Sequence, residues 1–232
     1  MDRTQSEDEM NYLPPESRQP PAPPPGVAIS GIIFSTLYIL SLVLIRLAVP
    51  VDPTDQGEWL ADGNLRQWVR TALNLVPITG IAFLWFMGAL RSHLGSREDR
   101  FFATVFLGSG LLFVATLFAS AVVAGSLLEA YTVESRLAGQ SETFEFGRRA
   151  SHLLMNIFAL KMSAVFIFVT SSIALRTAFL PRWLAFVGFS VGLVLLLVIT
   201  EFPWIVLLFP LWVLLVSAYI LFAELHKRTR EK

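Results

Sequence analysis

Six long apolar segments constrain this chain more than any other feature of its sequence. Each has about the length that an α-helix, rising ~1.5 Å per residue, needs to cross a ~30 Å hydrocarbon core. No water in that core can satisfy backbone polar groups, so each segment must be helical. The sequence therefore predicts an all-α polytopic membrane protein, a bundle of six transmembrane helices. The segments are residues 26–49, 70–90, 101–127, 152–175, 181–200 and 203–223.

The remaining residues divide into two tails and the connections between segments. Residues 1–25 are acidic and rich in proline, which predicts a disordered tail because such a segment buries little apolar surface. Residues 26–225 form the predicted transmembrane domain, and residues 226–232 form a basic tail. The longest predicted loop is 128–151, between the third and fourth segments.

The distribution of Lys and Arg predicts the orientation in the membrane. With both termini placed in the cytoplasm, eleven Lys and Arg residues fall on the cytoplasmic side and five on the outer side. Cytoplasmic loops carry the excess of positive charge in membrane proteins. We therefore expect both termini, including the disordered tail, to be cytoplasmic.

Composition argues against several classes of function. The chain has no cysteine, three histidines and a formal net charge of zero. Thiolate chemistry is excluded, and no two histidines have the helical spacing of metal ligands. A neutral chain gives no basis for nucleic-acid binding. We predict no catalytic, cofactor or metal site, and the lipid bilayer as the main partner.

Lys161 is the costliest residue in the predicted spans. It lies well inside the fourth segment, where an unpaired charge costs at least about 2.5–3.5 kcal/mol. No acid lies within a segment, and the nearest candidates are Glu129 and Glu201 at the outer ends of neighbouring segments. We favour a lysine that snorkels outward to one of these acids or to the headgroups. An ion, proton or substrate site at Lys161 is the alternative.

Polar and small residues recur on one face of the third and of the fourth segment. At ~100° per residue, Lys161 falls on the opposite face of its helix from this stripe. We predict that the two faces pack together through interhelical hydrogen bonds, with a wet cavity as the alternative. The residues are Thr116, Ser120 and Ala124 on the third segment and His152, Asn156, Ser163 and Thr170 on the fourth.

Two further features concern helix contacts and the membrane boundary. Gly188 and Gly192 are four residues apart in the fifth segment, a spacing that allows close helix packing and suggests a homo-oligomer or a membrane-protein partner. Arg46 lies near the outer end of the first segment, where we expect it to reach headgroups or the acidic first loop, residues 50–69.

The C-terminal third carries a resemblance to known proteins. Leu180-Pro181-Arg182-Trp183-Leu184 opens a Gly-rich segment, and Phe209-Pro210-Leu211-Trp212 lies in the last one. This pattern, with the six-segment layout, resembles small bacterial multi-pass membrane proteins of unknown function. The resemblance implies a bacterial cytoplasmic membrane and carries no functional residue to this chain.

Three functions are compatible with these observations. A non-enzymatic accessory or sensing membrane component is favoured, and it predicts no hydrated cavity. A small transporter or permease subunit predicts a polar site at the midplane near Lys161 and Asn156. A lipid-modifying enzyme ranks last, because the segments supply no cluster of acids, histidines or nucleophiles.

Overall fold

The computed structural model describes residues 25–49, 58–94, 100–134, 142–197 and 204–230, and these ranges are helical apart from short connections. The helices are α1 (Pro25–Ala48), α2 (Gly63–Leu94), α3 (Arg100–Glu134), α4 (Glu142–Leu153), α5 (Leu160–Thr177), α6 (Arg182–Leu197) and α7 (Leu208–Arg230). A π-helical segment, Leu154–Ala159, joins α4 to α5 without a break, and 3₁₀ turns at Glu58–Ala61 and Ile205–Leu207 precede α2 and α7.

The predicted fold class, an all-α polytopic membrane protein, is confirmed. Within the described ranges, five helices are long and apolar enough to span a membrane. The sixth apolar helix, α6, is shorter at 16 residues. The five long spans are Gly26–Ala48, Gly63–Ser92, Arg100–Tyr131, Glu142–Thr177 and Ile205–His226.

The long loop predicted for residues 128–151 is wrong, because most of this stretch is helix. α3 continues to Glu134, and α4 begins at Glu142. Hydropathy marks only the apolar part of a helix, and a polar helix can continue beyond the hydrocarbon core. The acids Glu142 and Glu145 lie in the first turn of α4, where a negative charge interacts favourably with the helix dipole.

The two predicted tails have different outcomes. Residues 1–24 lie outside the described residues, so the disorder of the N-terminal tail stays a prediction. α7 runs to Arg230, so most of the basic stretch predicted as a tail is a continuation of the last helix.

A cluster of phenylalanines forms the centre of the bundle. α1 packs against α2 and α7, while α3 packs against α2, α4 and α5. Five fully buried rings, each from a different helix, meet where these contacts converge. Their centroids lie 4.8–6.4 Å apart, mostly in the tilted or edge-on arrangements that aromatic rings prefer. The rings are those of Phe34, Phe83, Phe113, Phe166 and Phe209.

The two glycines of α6 make close contact with α5 of the same chain. A Cβ added at Gly188 would lie 2.1 Å from the Oγ of Ser171, and one added at Gly192 would lie 3.2 Å from the ring of Phe168. Glycine is therefore what allows α5 and α6 to approach each other. Within the chain this face is in contact with α5, and the homo-oligomer or membrane-protein partner predicted through Gly188 and Gly192 stays a prediction.

α5 and α6 form an antiparallel hairpin. α5 ends at Thr177, and the next residue, Ala178, adopts a left-handed conformation with φ 55° and donates its N–H to the Ala174 carbonyl at 2.9 Å. This is the usual way in which a terminal residue satisfies the last carbonyls of a helix. At the carboxyl end of α6, backbone carbonyls instead accept hydrogen bonds from the side chain of Lys161.

Candidate functional site: a cavity at one end of the bundle

A cavity of about 670 Å³ lies between α1, α2, α3 and α4. It occupies the end of the bundle where α1 and α3 finish and where α2 and α4 begin. It follows α1 from Val49 down to Tyr38, a distance of about 16 Å at ~1.5 Å per residue. The cavity is therefore as deep as about half of a ~30 Å hydrocarbon core. Its volume falls in the range of small-molecule sites, about 300–1,000 Å³.

The walls of the cavity are mostly apolar, and its polar groups lie at a few positions. Leu60, Val69 and Phe144 are buried and belong to a small apolar cluster that closes one side. Leu42, Val76 and Leu117 form part of the main core and line the deeper part. The polar and charged lining residues are Tyr38, Ser41, Arg46, Trp59, Ser120, Arg148, Arg149, Ser151, His152 and Asn156.

Positive charge converges on the cavity from two helices. Arg46 comes from α1 and Arg148 from α4, and both line the cavity together with His152. Arg149 forms an ion pair with Glu145 one turn away. None of the described lining residues is acidic. Arg46 lies in the wall of the cavity, partly buried, and its expected contact with headgroups or the acidic first loop stays a prediction.

The π-helical segment forms part of the cavity wall through Met155 and Asn156. Tyr38 donates its hydroxyl to the sulfur of Met155 at 3.7 Å. Asn156 Nδ2 donates to the His152 carbonyl at 3.1 Å and lies 3.2 Å from His152 Nδ1. π-Helical turns occur frequently at functional sites, so this segment is a further reason to regard the cavity as the site.

The four polar residues of the stripe predicted for the fourth segment lie in two different environments. His152 and Asn156 line the cavity. Ser163 and Thr170 are buried, and their hydroxyls donate to the Leu160 and Phe166 carbonyls of their own helix, both at 2.8 Å. The prediction assumed 100° per residue throughout, whereas the π segment, which contains Asn156 and precedes Ser163, has wider turns.

The predicted packing of the third segment against the fourth is confirmed, but through a different polar contact. α3 packs against α4, the π segment and α5. Ser120 Oγ donates to the Ser151 carbonyl at 2.9 Å, and Ser151 Oγ donates to the Ser120 carbonyl at 3.1 Å. Thr116 donates within its own helix, to the Leu112 carbonyl at 2.8 Å. Ser151 was missed because it lies just outside the predicted segment.

Lys161 binds the carboxyl end of α6. Its Nζ donates to the Leu195 carbonyl at 3.1 Å and to the Leu196 carbonyl at 2.5 Å. The last four carbonyls of a helix have no partner within the helix, and a cation there is favourable. Lys161 does not line the cavity. Glu201 lies outside the described residues, and a contact of Lys161 with Glu129 or Glu201 stays a prediction.

Of the two arginines in the cavity lining, Arg46 and Arg148, only the first could be singled out from the sequence. Arg46 was a visible signal, as a cation inside an apolar segment. Arg148 was assigned to a loop, so its place beside Arg46 in the lining of one cavity was not predicted. Within the described ranges, no group of three or more His, Asp or Glu side chains could hold a metal ion.

Comparison with known proteins adds no further constraint. No protein-family model, curated protein or solved structure matches this chain. The resemblance to small bacterial multi-pass proteins stays a prediction, and function must be argued from the cavity.

Proposed function

We propose that this chain is a non-enzymatic membrane component, accessory or sensing in role, that binds an apolar small molecule in the cavity between α1 and α4. The observation that carries the proposal is the cavity itself, about 670 Å³ with mostly apolar walls and a few polar groups. Ligand sites in proteins have this composition, in which the apolar wall supplies affinity and the polar groups supply orientation.

Binding is favoured over catalysis by the way in which the polar lining groups are engaged. Ser120 and Ser151 bond to each other, and Asn156 bonds to His152. Hydrolysis or group transfer needs a nucleophile beside a base, or paired carboxylates. The described lining contains no carboxylate, and its hydroxyls are not paired with its histidine.

We also propose that the protein resides in a bacterial cytoplasmic membrane with both termini in the cytoplasm. The excess of Lys and Arg near the termini supports this orientation. The cavity then opens on the outer side, because α1 starts inside and finishes at the cavity.

A transporter is the second candidate, and the position of Asn156 favours it. Asn156 lies on the cavity wall, and the cavity extends about half-way through the bundle, as a carrier open to one side would require. Lys161 argues against this candidate, because its ammonium group binds the Leu195 and Leu196 carbonyls and does not face the cavity.

Filling the cavity tests the proposed function. Ala121 lines the cavity on α3, whereas Ala119, two residues away, is exposed on the outside of the bundle. Purified Ala121→Phe should lose lipid or other small molecules that the native protein retains in native mass spectrometry, and Ala119→Phe should retain them. If both variants retain the same set as the native protein, the cavity does not bind a ligand.

A single cysteine separates binding from transport, since the native chain has none. A membrane-impermeant thiol reagent should label Ala121→Cys in oriented vesicles from the outer side only. Labelling from both sides would show that the cavity opens alternately, and would favour the transporter.

A further inference from the structure

We propose that α4 is a lid over the cavity, hinged at the π-helical segment Leu154–Ala159 and held shut at its other end by the ring of Phe144. The lid controls how a ligand enters and leaves, so this inference rests on the proposed function and adds the way in which the site is opened. It follows from the exposure of the cavity wall, from the few side chains that hold α4 and from the irregular helix at its base.

α4 forms the side of the cavity that is nearest to the exterior. The exposed residues among the described lining residues are Arg149, His152 and Leu153, and all three belong to α4. The described lining residues from α1, α2 and α3 are buried or half-buried. A movement of α4 therefore opens the cavity where it already meets the surroundings, and it leaves the other three helices in place.

Few side chains hold α4 against the rest of the bundle. Two of its 12 residues, Phe144 and Gly147, are buried, whereas ten of the 18 residues of α5 are buried. Within the described ranges, α4 packs chiefly against α3. A segment with few buried contacts opens at a lower free-energy cost than the core does. α4 is therefore the part of the cavity wall that separates from the bundle most readily.

The π-helical segment at the base of α4 provides the hinge. It continues α4 into α5 without a break, and α5 is fixed in the core by its buried side chains. Helices bend sharply at π-helical turns, where the regular backbone hydrogen bonds are interrupted. Next to this segment, Ser120 Oγ donates to the Ser151 carbonyl at 2.9 Å, which keeps the base of α4 on α3. Bending is therefore confined to the π segment while the amino end of α4 moves.

Phe144 closes the lid at the amino end of α4. Its ring is 7% exposed and belongs to the small apolar cluster, together with Leu60 from the turn before α2, Val69 from α2 and Leu128 from α3. Phe146, on the same helix, is 73% exposed. About 15 Å of helix, at ~1.5 Å per residue, separates Phe144 from the start of the hinge. A small tilt at the hinge therefore withdraws the ring from the cluster and opens the cavity beside it.

The test follows the reaction of a single cysteine inside the cavity. The native chain has no cysteine, and Ala121 lines the cavity on α3. In nanodiscs, Ala121→Cys should react with N-ethylmaleimide at least about tenfold faster when it is combined with Phe144→Ala, the order set by the burial of one phenylalanine ring. Phe144→Leu, which keeps part of the apolar contact, should give a smaller increase.

Two controls accompany the labelling. Phe146→Ala is the matched control, because Phe146 is exposed on the same helix and does not line the cavity, and it should leave the rate unchanged. Ala164→Cys, at a fully buried position in α5, should stay unreactive when it is combined with Phe144→Ala, which shows that the bundle remains assembled.

Hydrogen exchange separates a moving lid from a hole left by the missing ring. In Phe144→Ala, the amides of α4 should exchange about tenfold faster, because the helix leaves the bundle more often, while those of α5 keep their native rate. A static hole would speed the labelling and leave the exchange of α4 unchanged, and that result would overturn the inference.

Four further results would also contradict the lid. These are native labelling rates in both Phe144 variants, equal acceleration by Phe146→Ala, reaction of Ala164→Cys, and failure of both Phe144 variants to assemble, which would show that Phe144 holds the whole bundle together. None of these measurements needs a bound ligand. If Ala121→Phe retains small molecules like the native protein, the proposed function fails while the labelling result stands, so the two failures are distinguishable.

Discussion

Replacing Gly188 by alanine should destabilise the contact between α5 and α6. The new Cβ would lie 2.1 Å from Ser171 Oγ and 3.0 Å from Trp212 Nε1, whereas ordinary van der Waals contact begins near 3.4 Å. The helices or side chains must then move by about 1 Å, and overpacking of this kind costs about 1–3 kcal/mol. Alanine also raises helix propensity by about 1 kcal/mol over glycine. The net change in the free energy of unfolding should therefore be a loss of up to about 2 kcal/mol.

Two companion variants isolate the clash. Gly108→Ala meets nothing within 4 Å and should keep the full propensity gain. Ser171→Ala removes the hydroxyl that clashes, and that hydroxyl is buried without a hydrogen-bond partner among the described residues, so its loss should cost little. Gly188→Ala combined with Ser171→Ala should recover most of the stability.

Denaturant unfolding in mixed micelles, followed by circular dichroism, compares the stability of the native protein with that of these four variants. The reasoning is refuted if Gly188→Ala is as stable as Gly108→Ala, or if Ser171→Ala does not rescue it. In that case α5 and α6 do not meet through this glycine, and the face would again be available to a second copy of the chain.

Three further predictions concern the ends of helices and the orientation. Lys161→Met should increase amide hydrogen exchange at the end of α6 about tenfold, because two carbonyls lose a charged donor, while lipid retention stays unchanged; loss of lipid instead would return Lys161 to the site. Ala178→Gly should raise stability by about 1 kcal/mol in thermal unfolding, because glycine adopts φ 55° without strain. Reporter fusions after Arg97 and after Gln140 should report opposite sides of the membrane, and identical reports would contradict the predicted orientation.

The fold class followed from sequence because the bilayer leaves a chain few choices. A run of about 20 apolar residues must be a helix, whatever surrounds it. The polar helix from Glu142 to Leu153 was missed for the complementary reason: it lies mostly outside the apolar segment that hydropathy detects, and its acids and arginines are typical of loops as well.

The sequence allowed a residue of the site to be predicted only where a polar side chain interrupts an apolar segment. His152, Asn156 and Lys161 were singled out as polar residues in an apolar helix, and the first two line the cavity. Helical periodicity then wrongly placed His152 and Asn156 on one continuous face with Ser163 and Thr170, because a π-helical turn cannot be recognised from hydropathy. That Arg46 and Arg148 line the same cavity depends on tertiary packing, which no local pattern encodes.

The phenylalanine cluster has a consequence for how this protein is made. Membrane helices are inserted one after another and associate afterwards, mainly through packing. The cluster draws one ring from each of five helices, with Phe34 in the first and Phe209 in the last. The core therefore stays incomplete until synthesis of the chain is almost finished. A ribosome stalled before α7 would leave an inserted but loosely assembled intermediate, the form of this protein most exposed to membrane proteases.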